Sequence, residues 1–314
     1  VQFTQLSYFV AVAEARHFTR AAERMGVAQP SLSQQVRALE NDLGAPLFHR
    51  ERGNVTLTSA GEVLLPIARR LLADAEMARN EIRELGELRT GRVRLGATPS
   101  LCTGLLPAIL ADFHAAYPGI EIALQEGGSR DLERNLGQGG LDLALIIESV
   151  ERRDPDLTAM AVLEEDLVVV SPQHRPPPVP GPRIRVADLE GLSLVMFRRG
   201  YDLRDVTLAA CREAGFEPSF AIEGGEMDAV LGFVQAGMGV AVVPSTVVED
   251  RFRSTPFVAP GIRRTVSLAH RRDVDPPRAA AAMQEQILSY LFEAGEAGQL
   301  PPGVRLPGPT RAPS

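Results

Sequence analysis

The chain has no lysine: all 33 of its basic residues are arginine, a bias that fits a GC-rich coding sequence and carries no mechanism of its own. Cysteine is nearly absent too. Cys102 and Cys211 stand far apart, which excludes a disulfide framework, and no Cys/His group has zinc-ligand spacing. Both read as small buried apolar residues. No run of about 20 uncharged apolar residues occurs, so no membrane-spanning helix is expected. The most apolar stretch, 229–244, contains Gln235 and is interrupted by Gly232, Gly237 and Gly239, and it reads as a buried helix followed by a buried strand. The first residues lack a basic segment with an apolar core and small-residue cleavage site, so no signal peptide is expected and a cytoplasmic location is the default. The histidines at 17, 49, 114, 174 and 270 form no cluster, and no Ser-His-Asp spacing, metal motif, phosphate loop or dinucleotide fingerprint stands out. Neither an enzyme nor a bound cofactor or metal is expected.

What is present is a chain of 314 residues, long enough for two or three domains and more than one core. Its net charge of −7 argues against a nonspecific nucleic-acid coat. The charge is uneven, however. Residues 1–58 carry six Arg against five Asp and Glu, a net +1, which leaves −8 for the rest. A slightly basic head on an acidic body permits DNA binding without establishing it.

In the head, Leu6, Phe9, Val10 and Ala13 recur at helical spacing. Thr19 is placed as N-cap of a second helix running to Met25, with Ala21, Ala22 and Met25 facing inward. Gly26 stands where a helix end favours a left-handed residue. Gln29 as N-cap and Pro30 as first helical residue then open a third helix that buries Leu32, Val36 and Leu39 and stops at Gly44. Residues 47–61, LFHRERGNVTLTSAG, read as a hairpin around an Arg-Gly-Asn turn. Ser59 is expected to cap a long helix reaching about Arg89, with Pro66 kinking its first turns. Along it Leu64, Ala68, Leu71, Ala75, Ala78, Ile82 and Leu85 alternate steps of four and three, the period of a coiled-coil seam, which points to dimerisation.

From Gly91 strands alternate with helices, which implies a parallel α/β sheet. Strands are expected at 93–98, 120–127, 141–147, 166–171, 193–197, 239–244 and 265–270. Helices are expected at 101–116, 131–137, 203–214 and 277–294. The Pro-rich stretch HRPPPVPGPRI is too stiff for a sheet interior, and the tail 295–314 is expected to be disordered.

Residues 18–43 fit a helix-turn-helix, whose second helix enters the major groove N-terminus first. Short polar side chains at that end let the helix sit deep. Gln34 can pair with an adenine edge, Arg37 can reach guanine or phosphate, and Ser31 and Ser33 can donate to phosphate or base. Arg50 and Arg52 at the hairpin tip are placed near phosphates, and Thr19, Gln29 and Pro30 complete the DNA-facing set. The stretch FTRAAERMGVAQPSLSQQVRALENDLGAPLFHRERGNVTLTSAG resembles the N-terminal winged helix-turn-helix of LysR-type transcriptional regulators. The shared pattern comprises AA, V-x-Q-P-S-x-S-x-Q-[VI]-x-x-LE, LG-x-x-LF-x-R and LT-x-AG. Gly53-Asn54 in the wing departs from it, since many relatives have Arg there.

The resemblance extends to about residue 294 and implies a multidomain α/β architecture. A winged helix-turn-helix would span 1–58, a linker dimerisation helix 59–90, and a periplasmic-binding-protein-like effector domain 91–294. In that domain subdomain I would hold 91–161 with 265–294, subdomain II would hold 162–264, and two crossovers would form the hinge. The implied protein is a homodimer or homotetramer on double-stranded operator DNA, modulated by a small molecule and without membrane association. Thr98 and Ser100 come at the start of a helix, where free N–H groups favour anions. Ser129 ends the next strand, and Phe197, Arg198 and Arg199 follow a strand of the other subdomain. By the resemblance Thr98, Ser100, Ser129, Phe197 and Arg198 line the effector cleft, and together they suggest a small carboxylate, with Phe197 suited to an aromatic one.

Residues 199–215 are also similar to the redox segment of peroxide-sensing members of that family. Cys211 matches the second switch cysteine, but the first position is Asp202, which cannot form a sulfenic acid, so no thiol switch is expected. The competing class is a cytoplasmic small-molecule binding module whose N-terminal domain contacts proteins. DNA engagement by residues 1–58 with a negative salt slope separates the two.

Overall fold

The computed structural model describes residues 1–51, 54–83, 90–148 and 154–308. The chain divides into two compact units, Val1–Gly86 with Gly137–Gly140 and Glu87–Leu136 with Leu141–Ser314.

The N-terminal unit runs α1 (Phe3–Ala15), α2 (Phe18–Arg24), α3 (Gln29–Leu43), the hairpin strands β1 (Phe48–Glu51) and β2 (Asn54–Leu57), and α4 (Ser59–Arg83). Phe9, Leu32, Val36 and Leu39 are fully buried in one core, where the Phe48 ring sits 5.3 Å from Phe9 and edge-on to Phe18 at 5.8 Å. The helix starts differ from expectation. His17, not Thr19, caps α2, and its ring nitrogen accepts the Thr19 backbone N–H. Ala28 is the N-cap of α3, so Gln29 and Pro30 already lie inside the helix. Pro30 loses nothing there, because the N–H it lacks would be unpaired in the first turn anyway. Met25 is 38% exposed rather than inward, because α2 ends one residue before it.

Gly26 and Gly44 take φ of +66° and +70° at the two helix ends. At the start of α4, Thr58 acts as the cap in place of Ser59: its hydroxyl donates to Pro46 O at 2.6 Å and accepts Gly61 N–H at 3.1 Å. A Cβ on Gly61 would fall 2.2 Å from the Leu47 carbonyl oxygen, so the helix approaches the hairpin more closely than any side chain allows. This is the physical content of the LT-x-AG pattern.

The C-terminal unit contains β3 (Gly91–Ala97), α5 (Pro99–Gly104), α6 (Leu106–Ala116), β4 (Ile120–Glu126), α7 (Ser129–Gly137), β5 (Leu143–Ile147) and β6 (Leu157–Pro172). It continues with β7 (Ser193–Met196), α8 (Asp202–Glu213), β8 (Ser219–Glu223), α9 (Met227–Gln235), β9 (Ala241–Pro244), β10 (Phe252–Pro256), β11 (Arg263–Arg271), α10 (Arg278–Glu296) and β12 (Val304–Arg305). The helix expected over 101–116 is two helices that break at Leu105. Pro107 lies just beyond the break and would remove a hydrogen bond from a continuous helix.

The sheet, expected to be parallel, is mixed. The main strand order is β10-β6-β11-β5-β3-β4. β3 is parallel to β4 and β5, whereas β11 runs antiparallel to both β5 and β6. The reason is that β6 and β11 are crossovers. Each leaves one core and enters the other, in opposite directions. One core gathers Val93, Phe113, Leu143, Leu163, Leu268 and Ile287. The other gathers Val169, Leu194, Phe197, Leu203, Val230 and Val243.

The tail expected to be disordered from 295 is ordered through 308 in this structure. Val304 and Arg305 pair with Glu165 and Glu164 of β6, Leu300 and Leu306 pack on the first core, and Arg305 reaches Asp166 at 2.8 Å. The apolar residues of this tail are spread among prolines and show no periodicity in sequence, yet they find places on the core.

Candidate functional site

In the N-terminal unit α3 presents two faces. Leu32, Val36 and Leu39 are buried. By the 3.6-residue period, Pro30, Gln34 and Arg37 project on the opposite face, and all three are exposed. Ser31 is also exposed, while Gln29 and Ser33 on the flanks are half-buried. Thr19, near the start of α2, is exposed. Arg50 belongs to β1 by its backbone, and Arg52 lies outside the described residues.

Helix α4 corrects the expected seam. Ala68 is fully buried, Leu64 packs on the N-terminal core, and Ala75 borders a recess with Phe3 and Tyr8 of α1. These three face their own unit. The exposed apolar stripe is Val63, Ile67, Leu71, Ala78 and Ile82, and Leu85 lies outside the described residues.

In the C-terminal unit the expected effector residues gather where the two cores meet, and most of their donors are already engaged. Thr98 and Ser100 are buried, with their hydroxyls 3.4 Å apart. Ser100 Oγ accepts Arg264 Nη2 at 2.8 Å. Arg264, on β11, forms a fully buried ion pair with Glu165 of β6 at 2.6 Å, and Thr246 donates to the other oxygen of that carboxylate. Ser129 hydrogen-bonds Asp202. Arg198 pairs with Glu226 and lies 5.9 Å over the Tyr201 ring. Phe197 is buried and stacks on Tyr201, centroids 4.7 Å apart and planes at 7°. Arg199 is exposed, 3.6 Å from Glu223. The small carboxylate suggested by the sequence therefore meets internal partners at Ser100, Ser129 and Arg198.

Sequence reasoning missed Glu165, Arg264 and Thr246, and it weighed Asp202 only for the thiol it lacks. The signal was present: Glu164-Glu165-Asp166 interrupts the apolar run of β6, and Arg263-Arg264 opens β11 with two adjacent charges. Charges in the middle of a buried strand require partners. Asp202 also borders a cavity of about 660 Å³ with Arg130, Asp205 and Arg263; none of the five expected effector residues lines it.

Burial pushes both Cys102 and Cys211 up to about 11, with Glu126 and Glu217 respectively adding to the shift. Burial also raises the Asp202 carboxyl above the ordinary aspartate range, against the hydrogen bonds from Ser129. Among the described residues no group of His, Cys, Asp and Glu could hold a metal, and no helix is long and apolar enough to cross a membrane.

The helix-turn-helix and the two-core unit together define a ligand-responsive DNA-binding regulator, and the chain belongs to the LysR family of transcriptional regulators. Residues 3–62 match the bacterial regulatory helix-turn-helix of the lysR family, and residues 86–291 match the LysR substrate binding domain. The chain is 31% identical to the transcriptional dual regulator GltC of Bacillus subtilis over 295 residues, covering 93% of this chain and 98% of that one. It is 32% identical to the DNA-binding transcriptional dual regulator OxyR of Escherichia coli over 271 residues, 85% of this chain and 88% of that one. Among solved structures, a substituted form of full-length OxyR from Pseudomonas aeruginosa matches with a TM-score of 0.72 at 28% identity, covering 91% of this chain and 94% of that one. Full-length CbnR in complex with its target DNA matches with a TM-score of 0.68 at 26% identity, covering 91% and 99%.

Proposed function

We propose that the protein acts as an oligomer on double-stranded DNA, with α3 as the reading helix and the junction between its two α/β cores as the site of a small-molecule effector. The observation that carries the reading is the division of α3 into a buried face of Leu32, Val36 and Leu39 and an exposed face of Pro30, Gln34 and Arg37. The exposed face combines a flat entry residue, an amide suited to adenine and a guanidinium suited to guanine or phosphate. Gln29, Ser31 and Ser33 of α3, Thr19 of α2 and Arg50 of β1 belong to the same DNA-facing set, and Arg52 is assigned to it from the sequence alone. The solved complex of CbnR with its target DNA supports the same role for the matching unit.

Two copies join through the apolar stripe of α4, because Val63, Ile67, Leu71 and Ile82 leave large side chains in water on one face. The effector lies at the junction bordered by Thr98, Ser100, Ser129, Phe197 and Arg198. A cavity of about 660 Å³, of the size small molecules use, adjoins through Asp202, the partner of Ser129, although none of those five side chains lines it.

Binding of DNA fragments by full-length Gln34→Ala and Arg37→Ala proteins tests the reading helix. Each change is expected to weaken specific binding by about 1–3 kcal/mol, and Arg37→Ala also reduces the salt slope by about one if the guanidinium holds a phosphate. Unchanged affinity and slope in both would remove α3 from the interface.

A further inference from the structure

Residues of the two cores meet in register at the start of α7. Ser129 opens that helix, and its backbone N–H is one of the first-turn donors that no helix carbonyl satisfies. Asp202 Oδ2, at the start of α8 in the other core, accepts that N–H at 3.1 Å and the Ser129 hydroxyl at 2.8 Å. The same hydroxyl oxygen accepts Ile147 N–H at 2.8 Å, so the Ser129 side chain both donates and accepts. On one side of this contact a Cβ on Gly128 would lie 3.1 Å from the Gly200 carbonyl oxygen. On the other, Arg130 stands 3.5 Å from Asp205. Three consecutive residues of one core thus meet positions 200, 202 and 205 of the other.

A hydroxyl and a free N–H at a helix start form the usual cradle for an anion. Here the anion comes from the chain itself. We propose that Asp202 is a built-in carboxylate ligand: it fills the anion position at the start of α7, holds the two cores in the arrangement seen here, and denies that position to small carboxylates. Its regulatory meaning rests on the reading of this junction as the effector site. An effector then works either by displacing Asp202 or from the adjoining cavity, whose wall Asp202 forms with Arg130 and Arg263. In either case the Asp202 to Ser129 contact is the element it biases.

The test uses the full-length protein and formate, the smallest carboxylate. Thermal unfolding of wild type, Asp202→Ala, Asp202→Asn and the Ser129→Ala/Asp202→Ala double variant is followed in sodium formate, with sodium chloride of equal ionic strength as control. Asp202→Ala is expected to melt below wild type and to be rescued selectively by formate, with an apparent affinity at least about tenfold tighter than wild type shows. The double variant loses the rescue, and Asp202→Asn melts near wild type because its amide oxygen still accepts both Ser129 donors. Asp202→Ala melting with wild type, or formate acting on all four proteins alike, would overturn the proposal. Should Asp202→Ala not fold, Asp202→Ser, which also withdraws the carboxylate, carries the same formate comparison. Selective rescue of Asp202→Ser by formate sustains the proposal, and formate acting on it as on wild type overturns it. None of these readouts involves DNA, so a failure of the regulator reading would show separately, as wild type that does not bind DNA.

Discussion

Glu165 and Arg264 illustrate what a single buried pair demands. Each is almost wholly out of water, and each sits on a strand that crosses between the cores. Burying both charges is costly, and the pair is tolerable because Ser100 and Thr246 complete its hydrogen bonding. Truncating one partner strands the other. Glu165→Ala is therefore expected to cost about 3–5 kcal/mol in chemical unfolding, and Arg264→Ala a similar amount. Asp202 makes a prediction of a different kind. Burial raises its carboxyl, Asp205 adds to the shift, and Arg264 and the Ser129 hydrogen bonds oppose it. The folded protein therefore holds this proton at pH values where the unfolded chain has released it. The contribution of Asp202 to stability falls as pH rises from the ordinary value of 3.8 through the raised one. Unfolding midpoints of wild type are expected to decline relative to Asp202→Asn across that interval; parallel curves would contradict the assignment. The two thiols, pushed up to about 11, should react slowly with alkylating agents at neutral pH, and peroxide should leave DNA affinity unchanged.

At the scale of elements, a sequence pattern states that a face exists but not where it points. The buried face of α3 was legible because Leu32, Val36 and Leu39 form a single stripe flanked by polar residues. Helix α4 carries two apolar stripes, and steps of three and four residues cannot say which one faces home. Ala68 and Leu64 pack on the N-terminal core, and the stripe through Val63, Ile67, Leu71 and Ile82 stays exposed. Placing charge on the exposed stripe, as in Ile67→Glu with Leu71→Glu, is expected to convert the oligomer to monomer in light scattering while the fold is retained. An unchanged oligomer would move the interface elsewhere. The junction of hairpin and helix makes a second demand: Gly61→Ala drives a methyl group onto the Leu47 carbonyl and should destabilise the N-terminal unit by about 1–3 kcal/mol. Helix caps were less legible. His17 and Thr58 replace the expected Thr19 and Ser59, because capping depends on where the chain turns and several adjacent polar residues qualify.

For the whole molecule, the alternation of strands and helices disclosed an α/β unit, but the parallel sheet it implied holds only for β3, β4 and β5 in the main sheet. The antiparallel β11 follows from the return of the chain across both cores, a long-range feature with no local signature. The ordered tail is similar, since Val304 and Leu306 matter only once β6 and the first core exist. The effector junction was half legible. Thr98, Ser100, Ser129, Phe197 and Arg198 were placed there by the family resemblance, but the buried partners that engage Ser100 and Ser129 come from β11 and the start of α8. The central claim is that residues 1–58 hold DNA as part of an oligomer. Footprinting of the full-length protein on DNA flanking its own coding sequence, at two salt concentrations, tests it most directly. The account predicts protection of two spaced half-sites that weakens as salt rises. A folded, oligomeric protein that protects nothing even at low salt would contradict it and favour a small-molecule binding module whose N-terminal unit contacts proteins.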